Sequence, residues 1–143
     1  MLVSMIWYYP ASLPASMAYV SKSVQPLQPR TCGSVLVIEY AGSGERLEWM
    51  SSRDCGPKGT KCYENGFPGY DFELTPQQSA VINGRRVFFS IGNHGSNAWA
   101  CIPTSTHGHL DMLVVGIWES NFLTPREAMN LVAHATLKQG AIR

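Results

Sequence analysis

Four side chains in the sequence have the chemical types that a Cys/His hydrolase uses: Cys55, His94, His107 and His109. In such an enzyme a cysteine thiolate attacks a carbonyl carbon, and a histidine accepts the thiol proton. A nucleophilic cysteine usually lies at a helix N-terminus, which lowers the pKa of its thiol. Cys55 is followed by Gly-Pro-Lys-Gly, which does not begin a good helix, and His107 and His109 lack further ligands at zinc-site spacing. We therefore expect no catalysis, no metal and no cofactor, with the hydrolase kept as an alternative.

The cysteines match no metal-binding or redox motif. The chain has four of them, at 32, 55, 62 and 101, and none forms a C-x-x-C pair. Cys32 and Cys101 lie beside apolar residues, which predicts buried free thiols. Cys55 and Cys62 flank a glycine-rich stretch and could close a small disulfide, although spacing alone leaves their redox state open. Reduced cysteines are the default for the intracellular protein that we expect.

Length and charge indicate one globular domain. The chain has 143 residues and a net charge of +1, with no basic stripe of the kind that nucleic-acid binders carry. No apolar run is long enough to span a bilayer. Residues 1–16 contain Pro10 and Pro14 but no Lys or Arg, so they lack the charged start of a secretory signal. We expect a flexible extension over residues 1–16 and a single domain over residues 17–143, with docking of Trp7, Tyr8 and Tyr9 as the alternative for the extension.

Five apolar or alternating runs predict strands: residues 32–40, 46–51, 86–91, 97–103 and 112–118. The last run is continuously apolar, as a strand buried on both faces is. Short glycine turns join most of them, which predicts an antiparallel meander. Residues 52–70 contain four glycines and two prolines and form no regular element. The aromatic residues in that loop predict that it folds back over the domain or meets a partner, with a fully disordered loop as the alternative.

Three segments are predicted to be helical. The strongest begins at Thr124, where Pro125 and Glu127 complete a Thr-x-x-Glu capping box, and ends at Gly140. A second helix follows the Thr75-Pro76 pair and ends at Asn83-Gly84. A short first helix is predicted over residues 17–24. The order of elements therefore indicates an α+β domain.

Several local strings, taken in order, resemble the profilin family over residues 18–140. They are Ala18-Tyr19-Val20, Thr31-Cys32, Trp49, Phe72-Glu73-Leu74-Thr75-Pro76, Leu113-Val114, Gly116-Ile117, Glu119, Thr124-Pro125, Met129-Asn130 and Gln139-Gly140. The resemblance implies a profilin-like antiparallel sheet, with N- and C-terminal helices packed on one face and a short helix on the other. The chain departs from the family in its long 52–70 loop, in a shorter segment between the strands at 91 and 113, and in Ser16, where the family has a tryptophan.

The resemblance also implies binding of monomeric actin by a cytoplasmic, cytoskeletal protein that is itself a monomer. The positions that match the family's actin face are Arg86, Phe89, Asn121, Arg126, Glu127 and Asn130. An exposed aromatic side chain ringed by charges suits a protein interface. Arg86 is equally well explained as a solvated strand end, and Glu127 as a capping residue.

A second family site binds proline-rich peptides on aromatic side chains. Tyr19, Trp49 and His134 match it, and Gly140 stands where animal profilins end in tyrosine, so a weakened site is implied. Trp49 could equally be a core residue. Phosphoinositide binding would depend on Arg85, Arg86 and Arg126, which form a thin basic patch.

Two other classes remain open at this point. The string Thr-His-Gly-His-Leu-Asp-Met, at residues 106–112, resembles the histidine strand of small cell-wall amidases, which belong to the hydrolase alternative. A scaffold module of the longin or roadblock kind would share the α/β layering and pair through a sheet edge or a helix face.

Overall fold

The computed structural model describes residues 3–26, 34–55, 77–92, 95–103, 110–118 and 123–142. These ranges contain nine strands and one helix. The elements are β1 (Val3–Tyr9), β2 (Ala18–Pro26), β3 (Ser34–Gly42), β4 (Glu45–Cys55), β5 (Gln78–Ile82), β6 (Arg85–Gly92), β7 (Gly95–Pro103), β8 (Leu110–Trp118), α1 (Pro125–Ala133) and β9 (Thr136–Ile142).

Seven of the strands form one antiparallel sheet in the order β2-β3-β4-β8-β7-β6-β5. It consists of two meanders, β2 to β4 and β5 to β8, which join where β4 pairs with β8. Strands β1 and β9 form a separate antiparallel ribbon, with Val3 opposite Ile142 and Tyr9 opposite Thr136. The ribbon therefore joins the two ends of the described chain.

Two tight turns set the register of the hairpins. Ser43 and Gly44 connect β3 to β4, and Asn83 and Gly84 connect β5 to β6. All four residues have positive φ, between 52° and 80°. Two successive positive φ angles define the turn whose twist matches that of antiparallel strands, and Asn-Gly is its strongest sequence signal. Both hairpins are therefore specified locally.

The helix and the ribbon lie on the same face of the sheet, called here the covered face. Its buried side chains alternate along each strand, for example Leu36 and Ile38 on β3 or Val87 and Phe89 on β6. The helix packs on the half formed by β5 to β8, and β1 contacts β4. On β8, Leu113, Val114 and Val115 are all fully buried, so the prediction of a strand buried on both faces is confirmed.

The helix begins where the sequence predicted. The Glu127 N–H donates to Thr124 Oγ1 at 3.1 Å, and the Thr124 N–H donates to Glu127 Oε1 at 3.0 Å. Its end was predicted wrongly, because α1 stops at Ala133 and the chain continues as β9 rather than as helix to Gly140. Within the described ranges no helix has the length and apolarity that a membrane crossing requires.

The α+β prediction with helices at both ends is wrong, because the described chain is mostly strand. Residues 17–24, expected to be helical, lie largely in β2, whose Tyr19, Val20 and Val24 suit a strand paired with β3. Residues 78–82, expected in the second helix, form β5. The Asn83-Gly84 pair that was interpreted as the end of that helix is the hairpin turn between β5 and β6.

The expected flexible extension also differs from what the structure has. Residues 3–9 form β1, and residues 10–17 connect it to β2. The predicted 52–70 loop begins later than expected, since β4 continues to Cys55. Residues 56–76 lie outside the described ranges, so the predictions made for that loop stay predictions.

Candidate functional site

The ribbon turns the free edge of β1 toward the sheet. The Tyr8 N–H donates to Ser51 Oγ at 3.1 Å, and Trp49 Nε1 donates to the Tyr8 carbonyl oxygen at 3.0 Å. Ser51 and Trp49 both belong to β4. Side chains of β4 therefore satisfy the backbone groups of Tyr8 that do not face β9. Because strand side chains alternate, those of β1 point to the two sides of the ribbon.

On one side, Tyr8 meets the helix through Arg85. The Arg85 guanidinium carbon lies 5.4 Å from the centre of the Tyr8 ring. Its Nη1 donates to the carbonyl oxygens of Val132 at 2.6 Å and Ala135 at 3.1 Å. These carbonyls lie at the end of α1, where no intrahelical donor is left for them. Burial lowers the pKa of Arg85, and its contacts make it a helix cap rather than part of a basic surface.

On the other side, Tyr9 lies near β2 and β3, and strand alternation places Trp7 on the same side of β1 as Tyr9. The Lys22 ammonium lies 5.8 Å from the centre of the Tyr9 ring. Tyr40, on β3, is close enough to Tyr9 and Tyr19 that both tyrosines influence its pKa. We call this group of residues, Trp7, Tyr9, Tyr19, Lys22 and Tyr40, the Trp7–Tyr9 site.

Two buried polar atoms of this site have no hydrogen-bond partner in the described part of the chain: Trp7 Nε1 and the Tyr9 hydroxyl. Trp7 is only 1% exposed. An indole N–H can only donate, and an unpaired buried donor costs about 1–3 kcal/mol. Native proteins leave few such groups, and each one calls for an explanation such as a missing partner.

Two tyrosines of the site, Tyr9 and Tyr40, keep their hydroxyl protons at neutral pH. Burial raises the pKa of Tyr9. The pKa of Tyr40 is raised first by burial and then by the neighbouring Tyr9 and Tyr19. Both hydroxyls therefore stay protonated. With the Trp7 indole and the Lys22 ammonium, the site offers several donors next to aromatic rings, and its side-chain acceptors are the tyrosine oxygens.

A polar row on the opposite face of the sheet is the other cluster of note. Glu39 and Glu48 are directly opposite each other on β3 and β4, and Glu39 is ion-paired with Arg46. Burial raises the pKa of Glu48, Glu39 raises it further, and Arg46 lowers it. Among the described residues no group of three or more metal-ligating side chains forms. We interpret this row as a structural ion pair between Arg46 and Glu39, beside the Glu48 carboxylate, whose ionised form is disfavoured.

The residues predicted to bind actin do not share one surface. Phe89 is 3% exposed and lies in the core under α1. Its neighbour Arg86 is exposed and points to the opposite face of the sheet. Arg126 and Glu127 are exposed at the start of α1, where Glu127 caps the helix, and Asn130 is half-buried on it. Asn121 lies outside the described residues.

The residues predicted to bind proline-rich peptides are also dispersed. Trp49 is fully buried and is held by its bond to Tyr8, so it cannot contact a ligand at the surface. His134 is the exposed C-cap residue of α1. Tyr19 alone is both aromatic and exposed, at 60%, and it belongs to the Trp7–Tyr9 site. The basic patch expected for phosphoinositides does not form, because Arg85 caps the helix while Arg86 and Arg126 lie on opposite faces.

The cysteine prediction needs one correction. Cys101 is half-buried on β7 and is disulfide-bonded, so it is not a buried free thiol. The side chains of the other cysteines lie outside the described part of the structure. So do His94, His107 and His109, and the hydrolase alternative therefore stays untested.

Comparison with known proteins gives no family for this chain. No family model matches it, and neither do any curated proteins or solved structures. The profilin resemblance therefore stays a prediction about ancestry, and the fold that it implied is not the one observed.

Sequence reasoning favoured a flexible extension over docking of Trp7, Tyr8 and Tyr9, so it did not assign Trp7 and Tyr9 to a site. The signal was present in the run Met-Ile-Trp-Tyr-Tyr, which is aromatic, favours a strand and ends at Pro10. An extension this rich in large apolar side chains would be costly to leave in water. That argument favours a docked strand, although it does not show where the strand docks.

Proposed function

We propose that this protein is a non-catalytic binding module that takes an extended, proline-rich peptide at the Trp7–Tyr9 site. The observation that carries the proposal is the pair of buried donors, Trp7 Nε1 and the Tyr9 hydroxyl, which have no acceptor within the described chain. A ligand that supplies two acceptors would remove the cost of both.

The chemistry of a proline-rich strand complements these donors. Proline has no N–H, and the extended helix that it favours makes no internal hydrogen bonds, so its carbonyl oxygens are free to accept. Its rings are apolar and pack on aromatic faces. Two residues along such a helix advance about 6.2 Å. Trp7 and Tyr9, on one side of β1, are separated by a comparable advance of about 6.6 Å.

The edge of the sheet argues against the main alternative, addition of a peptide strand to β2. Strand addition needs an uninterrupted row of backbone donors and acceptors. The register of β2 shifts between Tyr19 and Ser21, and Lys22 follows on the same strand. A bulge and an edge lysine are the devices that proteins use to block edge pairing. A proline-rich ligand does not depend on a regular edge.

Tyr19 extends the site to the surface. It is opposite Tyr40 in the β2–β3 register and is 60% exposed, with the exposed Val20 beside it. An exposed aromatic side chain next to a lysine provides a first contact for a peptide. Of the residues predicted for the peptide site, Tyr19 and His134 are both exposed, and Tyr19 is the one that lies at the Trp7–Tyr9 site.

The remaining predictions on partners and compartment stay proposals. The predicted cytoplasmic location is weakened by disulfide-bonded Cys101, because disulfides persist mainly in oxidising compartments. Actin binding stays a prediction without a surface to carry it, since Arg86, Phe89 and Arg126 do not lie together.

The test is a titration with an oligoproline peptide, followed by isothermal calorimetry, with a glycine-serine peptide of equal length as the control ligand. We expect binding of oligoproline alone. Tyr19→Ala should weaken it about tenfold, as loss of an aromatic anchor does. Val81→Ala is the matched control, because Val81 is similarly exposed, at 59%, on the opposite edge strand β5. Equal binding of both peptides, or none, would overturn the proposal.

A further inference from the structure

We infer that residues 10–17, which we call the strap, cover the Trp7–Tyr9 site and must move before a peptide can enter. This inference rests on the proposed function and specifies how that site is regulated. The strap leaves β1 directly after Tyr9 and leads into β2, so it runs between the two strands that border the site.

Apolar contacts and one turn hold the strap in place. Leu13 and Met17 are partly buried and pack against the core cluster. The Met17 N–H donates to the Pro14 carbonyl oxygen at 2.9 Å, which closes a turn at the end of the strap. On either side of Leu13, Ala11, Ser12, Ala15 and Ser16 are exposed. The strap is therefore fixed mainly at Leu13 and Met17.

Gly42 lets the backbone of the strap pack closely against β3 at Ser16. A Cβ atom at residue 42 would lie 1.7 Å from the Ser16 carbonyl oxygen and 2.8 Å from its carbon. Only a residue without a side chain allows this contact between backbones. Gly42 lies two residues beyond Tyr40 on β3, so it continues the same face of the sheet. The strap thus crosses the sheet next to the site.

The strap covers the site without satisfying it. Among the described residues, Trp7 Nε1 and the Tyr9 hydroxyl have no hydrogen-bond partner, although residues 10–17 follow Tyr9 directly. The strap itself contains two prolines, Pro10 and Pro14, and small side chains, so it has the composition of the proposed ligand. An incoming peptide that accepts hydrogen bonds from both donors makes two interactions that the strap does not make. This gain favours displacement of the strap by the peptide.

Gly42→Ala tests this inference, because the added methyl group must displace Ser16. The φ angle of Gly42 is not positive, so alanine suits the backbone of β3. The matched control is Gly116→Ala, in β8, where the new Cβ would meet Asn97 Oδ1 at an ordinary 3.5 Å. Leu13→Ser is a second variant that loosens the strap without changing the sheet, in case Gly42→Ala does not fold.

Two measurements are made on each full-length variant. Limited proteolysis without ligand reports release of the strap, and oligoproline titration reports access to the site. We expect Gly42→Ala or Leu13→Ser to be cleaved faster within residues 10–17 and to bind oligoproline about tenfold more tightly, as release of a cover that is closed about nine-tenths of the time would cause. Gly116→Ala should match the wild type in both.

The outcomes separate the two proposals. If the wild type binds oligoproline and a variant with faster cleavage binds no more tightly, the strap does not guard the site and this inference is overturned while the proposed function stands. If neither the wild type nor a released variant binds, the proposed function fails and the inference falls with it.

Discussion

Removal of the Tyr9 hydroxyl is expected to stabilise the ligand-free protein. The hydroxyl is buried without a partner within the described chain, and burial raises its pKa. An unpaired buried polar group costs about 1–3 kcal/mol, while loss of one oxygen atom leaves a small void with an opposing cost. We therefore expect Tyr9→Phe to raise the free energy of unfolding by about 1 kcal/mol. For a domain of this size that corresponds to a rise in Tm of about 3 °C.

Urea denaturation followed by far-UV circular dichroism measures this change. Tyr19→Phe is the matched control, because its side chain is 60% exposed, and its stability should stay within about 0.5 kcal/mol of the wild type. A loss of about 1 kcal/mol in Tyr9→Phe would refute the reasoning, since it would mean that the hydroxyl already has a hydrogen-bond partner in the folded protein.

Three further predictions concern the helix cap at Arg85, the carboxylate of Glu48 and the disulfide of Cys101. Arg85→Met should lower the free energy of unfolding by about 2–4 kcal/mol, because two carbonyl oxygens lose a charged donor. Thermal melts should show that the control Arg86→Met, at the adjacent exposed residue, changes it by less than about 0.5 kcal/mol. The raised pKa of Glu48 means that its ionised form opposes folding, so Glu48→Gln should stabilise the protein at neutral pH. Thermal melts at decreasing pH should show this gain vanish, because the wild-type carboxyl becomes protonated as the pH falls toward its ordinary pKa of 4.5. Ellman titration of the denatured, unreduced protein should find no more than two of the four cysteines free, because Cys101 is paired, and four free thiols would contradict that pairing.

Local signals predicted the parts of the fold that depend on local chemistry. The capping box at Thr124 and Glu127 is observed, because its donors and acceptors lie within four residues of each other. Most of the central strands are also observed, because alternation of apolar residues reports which side of a strand is buried. One local signal was misinterpreted: Asn83-Gly84 marks a hairpin turn, whereas it was interpreted as the end of a helix that begins at Thr75-Pro76.

The parts of the fold that the sequence did not predict depend on pairing between segments far apart in the chain. β9 forms because Thr136 to Ile142 pair with a strand more than one hundred residues earlier, at Val3 to Tyr9. Neither segment carries a sequence signal that identifies the other as its pairing partner. The first was therefore predicted to be part of a flexible extension, and the second to be part of a longer helix. The Trp7–Tyr9 site depends on that pairing. Tyr19 was singled out because it matches the peptide site of the profilin resemblance, but its neighbours Trp7 and Tyr9 are brought to it by the ribbon.

The most direct test of the proposed site is the indole N–H resonance of Trp7 in a proton–nitrogen correlation spectrum recorded while oligoproline is added. The chain has four tryptophans, and Trp7→Phe assigns the resonance by its disappearance. We predict that the Trp7 resonance shifts downfield in proportion to the bound fraction as its N–H gains an acceptor. The Trp49 resonance, whose N–H already donates to the Tyr8 carbonyl oxygen, should move less. A Trp7 resonance that stays in place at saturating peptide, or that never responds because no peptide binds, would contradict the account.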